Sequence, residues 1–156
     1  MGGKLMLRSF VFMFALMAIT THVNAESEFP SRDVIDSTFT EMHRFGGVGD
    51  YESWIEFLAE DATFVNSALP EPIVGRAAIL EAAKMWPRIE NVIEWKVIEG
   101  ERMAIAWRER QILENGKTSG WYRGFSSFVF NRNGEVQEYE GMFNLLSIKA
   151  ALEQVE

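Results

Sequence analysis

The sequence predicts an α+β domain in which helices come first and pack on one face of a curved antiparallel sheet. Three observations carry this prediction. Apolar residues recur at helical spacing in the first half of the chain. From Asn91 onward the texture changes to long alternating runs. Those runs are joined by short segments rich in turn residues, including Glu99-Gly100-Glu101, Asn115-Gly116 and Asn133-Gly134.

Residues 1–25 stand apart from that domain. Lys4 and Arg8 make a basic start, residues 9–19 are apolar, and Val23, Asn24 and Ala25 put small residues where a cleavage site belongs. The apolar run is too short to span a bilayer, which needs roughly 20 residues. This is the pattern of a secretory signal peptide cut after Ala25. The mature domain is then 26–156, exported to the periplasm or secreted.

With 47% hydrophobic and 24% charged residues, the 156-residue chain has the composition of one globular domain. Its net charge of −8 makes it a poor partner for nucleic acid or an anionic membrane. It contains no cysteine, which removes disulfides, thiol catalysis and thiolate metal sites together. His22 and His43 are its only histidines, so a multi-histidine metal site is excluded. No cofactor is implied.

In the mature chain, Ser31 or Asp33 can cap a first helix over 34–44, with Val34, Ile35, Phe39 and Met42 on its apolar side. The cluster Gly46-Gly47-Val48-Gly49-Asp50 reads as the loop that ends it. His43, near that end, suits the helix dipole and reads as structural. A second short helix covers 51–58 and a first strand 62–67, followed by a proline loop over 68–74. A third helix begins at Gly75-Arg76, carries Ile79, Leu80, Ala83 and Trp86, and is stopped by Pro87. Four strands are expected at 92–99, 102–113, 120–130 and 136–145, with a last amphipathic helix at 148–155.

Two-residue turns at Asn115-Gly116 and Asn133-Gly134 would set Glu109 opposite Tyr122, Trp107 opposite Gly124, Ser126 opposite Gly141 and Phe128 opposite Tyr139. One face then holds Trp107, Glu109, Tyr122, Gly124, Ser126, Phe128, Tyr139, Gly141 and Phe143. Small residues ringed by aromatics under a helical cover leave room for a ligand. The other face mixes Arg108, Arg110, Arg123, Glu138 and Glu140 with Trp121, Phe125 and Met142, a surface for solvent or a second subunit. A three-residue turn at Asn115 would instead bring Trp121, Arg123 and Phe125 onto the Trp107 face.

Glu109 is an acid among aromatics, where burial would raise its pKa into a useful range for proton transfer; at an open strand end it would be hydrated and inert. Asn66, two positions after Phe64, shares its face and either closes the strand end or orients a ligand or water.

The stretch FLAEDATFVN, the proline loop and GRAAI together resemble the nuclear transport factor 2-like superfamily. Leu69-Pro70-Glu71-Pro72 leading to Gly75-Arg76 is most similar to limonene-1,2-epoxide hydrolase and SnoaL-like polyketide cyclases, with ketosteroid isomerase more distant. The resemblance implies a cone of curved sheet closed by helices, a pocket for a small apolar molecule, and frequent dimers through the convex sheet face. It places Asn66 on the hydrolase's water-positioning asparagine and Phe64 on the tyrosine beside it. Of the hydrolase's Asp-Arg-Asp trio, Glu109 falls on the first acid, Trp107 on the arginine and Gly141 on the second acid. The isomerase's base aspartate would fall at position 66, where an amide cannot abstract a proton.

The residues thus define an enzyme using Glu109 and Asn66, with Phe64, Trp107, Tyr122, Phe128, Tyr139, Gly141 and Phe143 around the substrate. The same residues also define a binding module without chemistry, or a structural homodimer whose cavity is filled.

Overall fold

A computed structural model describes residues 29–155. The expected signal peptide lies outside these residues. Helix α1 (Arg32–Val48) is N-capped by Ser31, whose hydroxyl accepts the Val34 N–H, and buries Ile35, Phe39 and Met42. It runs on through Gly46 and Gly47 and stops at Gly49, which takes the left-handed conformation that glycine allows, at φ 77°. The glycine cluster is therefore the last turn of the helix and not the loop after it. At Gly46 a side chain would press on the Trp54 ring, its Cβ standing 3.1 Å away.

Helix α2 (Tyr51–Trp54) and a 3-10 turn (Ile55–Phe57) lead into strand β1 (Leu58–Asn66), longer at its start than the apolar pattern suggests. The proline loop contains a short strand β2 (Ile73–Val74), and α3 (Arg76–Ala83) ends before Trp86. Arg76 fastens α3 to β1 through the Leu58 carbonyl and lies 3.6 Å from Glu135. Strands β3 (Arg88–Glu99), β4 (Arg102–Ile112), β5 (Tyr122–Phe130) and β6 (Val136–Phe143) follow, then α4 (Leu145–Leu152), capped by Asn144.

The six strands form one sheet in the order β2-β1-β6-β5-β4-β3. Strands β3 to β6 are an antiparallel meander as expected, but β1 adds to β6 in parallel, so the sheet is mixed. The helices cover one face, and the core joins Ile35, Phe39, Ile55, Leu58, Phe64, Ile79, Met103, Phe128 and Val136.

The expected register holds, by a different route. Glu109 faces Tyr122, Trp107 faces Gly124, Ser126 faces Gly141 and Phe128 faces Tyr139. Yet both turns enclose three residues: Leu113 N–H donates to Lys117 O, and Asn131 N–H to Glu135 O. Gly116 (φ 80°) and Gly134 (φ 79°) supply the left-handed third position. One extra residue downstream restores each register. It lies between Ser119, bonded to Gln111, and Tyr122 in one hairpin; in the other it lies between Val136 and Glu138. A further irregularity at Glu94 turns β3 over: Ile93 points inward, while Trp95 and Val97 lie exposed on the outer face.

Candidate functional site

Of the cavities between the helices and the sheet, two bear on the candidate site. One, of about 110 Å³, sits beneath α1 and is lined by residues including Phe39, His43, Asn91, Trp107, Phe128 and Tyr139. The other, of about 300 Å³, lies toward the end of β1 and includes Phe64, Asn66, Gln111, Tyr122, Tyr139 and Phe143. Trp86 and Tyr139 line both and stand between them. Tyr139 stacks on Phe128 at 4.7 Å between centroids and meets Phe64 edge-on at 4.9 Å. Its burial pushes its hydroxyl up to about 12.

Glu109 lies at the junction. Tyr122 donates its hydroxyl to Oε1 at 2.7 Å, and Asn91 donates Nδ2 to Oε2 at 3.0 Å. Asn91 Oδ1 lies 3.1 Å from His43 Nε2. Desolvation raises the carboxyl pKa above its ordinary value, and the two donated bonds oppose that rise. Burial, and after it the same carboxylate, push the Tyr122 phenol upward. The chain His43-Asn91-Glu109-Tyr122 thus runs from one cavity to the other through a partly buried acid.

Not all of the small residues play the part expected of them. The space above Gly124 is taken by the Trp107 indole; a Cβ there would lie 2.3 Å from its ring. Trp107 Nε1 donates to Ser126 Oγ at 2.9 Å, which fixes the ring in place. Gly141 does leave space, with Asn66 Nδ2 at 3.9 Å from where its Cβ would stand. Asn66 spends Oδ1 on the Ala68 N–H at 2.8 Å, closing the turn after β1. Its Nδ2 is left free to serve a ligand as a donor.

Of the residues singled out in the sequence, Phe64, Asn66, Tyr122, Tyr139 and Phe143 share the larger cavity, and Trp107, Phe128 and Tyr139 the smaller. Glu109 is bonded to the wall of each, and Gly141 lies behind Asn66. Sequence reasoning missed Asn91 and underrated His43. Asn91 fell just before the expected start of β3, although Ile89, Asn91 and Ile93 alternate onto the cavity face. His43 was assigned to the helix end but sits inside the helix, one turn from its close.

A helix-covered curved sheet in this strand order is the cone-shaped fold of the nuclear transport factor 2-like kind. Residues 39–139 match the SnoaL-like domain family, and the chain belongs to it. An epoxide hydrolase of the limonene-epoxide-hydrolase-like type from M. tuberculosis superposes with a TM-score of 0.69 at 12% identity, covering 80% of this chain and 94% of that one. Delta 5-3-ketosteroid isomerase from Mycobacterium sp. gives 0.64 at 17% identity, covering 73% and 95%. The M. tuberculosis protein RV0760c, in complex with estradiol-17beta-hemisuccinate, gives 0.62 at 18%, covering 73% and 96%. No curated protein sequence matches this one.

Proposed function

We propose that this domain is a cofactor-independent enzyme of the hydrolase or isomerase/cyclase type acting on a small apolar molecule. Glu109 is its acid-base group, and Asn66 orients water or a substrate oxygen. The observation that carries this reading is the partly buried Glu109 carboxylate, held between Tyr122 and Asn91 beside an aromatic interior. Desolvation brings its proton affinity closer to the neutral range, where an acid-base group is most effective. The phenol of Tyr122 lines the larger cavity and links the acid to whatever occupies it. Asn66 Nδ2, a donor only, suits an oxygen atom in that same cavity.

The test is turnover of epoxides and polyketide-type substrates by the mature protein, with Glu109→Gln expected to lower kcat by about 10²-fold or more. Unchanged rates in that variant would sink the acid-base role.

A second reading, binding without chemistry, is favoured by Trp107 and Phe64, which put hydrocarbon where the related hydrolase has an arginine and a tyrosine. Mass spectrometry of ligand carried through purification under native conditions, with no turnover of any substrate tried, would support it. The protein works outside the cytoplasm as a homodimer in either case. N-terminal sequencing beginning at Glu26 would support export.

A further inference from the structure

Glu109 has a fixed hydrogen-bonding polarity that its neighbours lack. An ionised carboxylate only accepts, whereas an amide can be turned end for end and an imidazole can carry its proton on either nitrogen. Oε2 draws the amide nitrogen of Asn91, 3.0 Å away, and so aims the amide oxygen at His43. The reverse orientation would set oxygen against carboxylate oxygen. Facing an acceptor at 3.1 Å, Nε2 of His43 carries the ring proton. In the neutral ring Nδ1 is then a lone-pair acceptor, and among the described residues no group donates to it.

His43 and Asn91 are polar members of an otherwise mostly apolar lining that includes Phe39, Met42, Ile93 and Ile105. We propose that His43, held in the Nε2–H form by Asn91, is a ligand-binding residue of the cavity beneath α1. There Nδ1 accepts a hydrogen bond from a hydroxyl or N–H group of a small ring compound. Asn91 and Glu109 are positioning residues for it. An apolar cavity of about 150 Å³ holds benzene, so the 110 Å³ here suits at most a single small ring, and a wider cleft of about 350 Å³ that His43 also lines adjoins it. This inference concerns a different cavity from the proposed reaction and stands whether or not Glu109 turns over a substrate there.

The experiment is nitrogen NMR of the full chain labelled at histidine, above the pH at which the ring is neutral. His22 and His43 are the only candidates, and His43→Gln identifies the signal to follow. The expected spectrum shows a protonated Nε2 and an unprotonated Nδ1. Asn91→Ala should move both nitrogens toward the average of the two tautomers. Phenol added to the wild-type protein should shift Nδ1, while benzene, which has no donor, should leave it in place. A protonated Nδ1 in the wild type, or nitrogens indifferent to Asn91→Ala in a folded variant, would overturn the tautomer assignment. Phenol that leaves Nδ1 unmoved would overturn the binding role, and this arm needs no variant to fold. Glu109→Gln inactivity with an unchanged His43 spectrum would refute only the positioning link, separately from the proposed reaction.

Discussion

Tyr122 and Glu109 stand directly opposite each other on β5 and β4, and the phenol hydroxyl donates to Oε1 at 2.7 Å. Tyr122→Phe removes a bond to a charged acceptor while leaving the ring in place. Such bonds contribute about 1.5–3 kcal/mol, so a loss in that range is expected in urea unfolding at neutral pH. The Glu109 pKa should rise further, since the Tyr122 bond is the larger of the two that hold it down. A carboxyl-carbon NMR titration of the variant would show it.

The Glu109 shift also sets a pH dependence with a definite sign. Its folded pKa lies above the ordinary 4.5, so between that value and the raised one the folded state binds more protons than the unfolded state. Stability from this group is complete below 4.5 and is lost as pH rises through the folded pKa. Wild type minus Glu109→Gln, measured by unfolding across pH 4 to 8, isolates this group. The difference should fall with rising pH and then level off; a rise would contradict the assignment.

Gly124→Ala is expected to be severe for its size. The new Cβ would stand 2.3 Å from the Trp107 ring and 2.7 Å from the Met142 carbonyl, and the ring is tethered by Ser126. Overpacking of this kind costs typically 1–3 kcal/mol, and backbone on one side puts this case at about the upper end. A lowered Tm with altered tryptophan fluorescence would report it, whereas a neutral result would mean the indole moves freely.

The outer sheet face supports a dimer prediction. Trp95, Phe125 and Met142 are exposed there, with Trp95 and Phe125 at 6.3 Å between centroids. Arg123 pairs with Glu94 at 3.0 Å beside them, giving an apolar patch with a charged surround. The wild type should sediment as a dimer and Phe125→Lys as a folded monomer. A monomeric wild type would remove the dimer proposal.

The helical stripes and the alternating strands were legible because burial on one face leaves a period that chain geometry fixes. The register came out as expected through compensation: each three-residue turn is offset by a one-residue bulge, and Asn-Gly and Asn-Arg-Asn-Gly read alone cannot reveal a second irregularity several residues on. The candidate site was legible where a polar residue interrupts an apolar face, as at Glu109 and Asn66. It was not legible where two elements distant in sequence meet. His43 and Asn91 are 48 positions apart and acquire their relation only when α1 lies across β3.

The parallel join between β1 and β6 bears on the order in which the molecule assembles. Ser67 and Phe143 exchange hydrogen bonds across 76 positions, and Gln137 reaches Asp61 over the same separation. Hairpins β3 to β6 close through near neighbours, whereas this seam must wait for a long loop to be brought together. The wall carrying Asn66 and Phe64 is therefore expected to dock late, and the larger cavity to form only once β1 has joined β6.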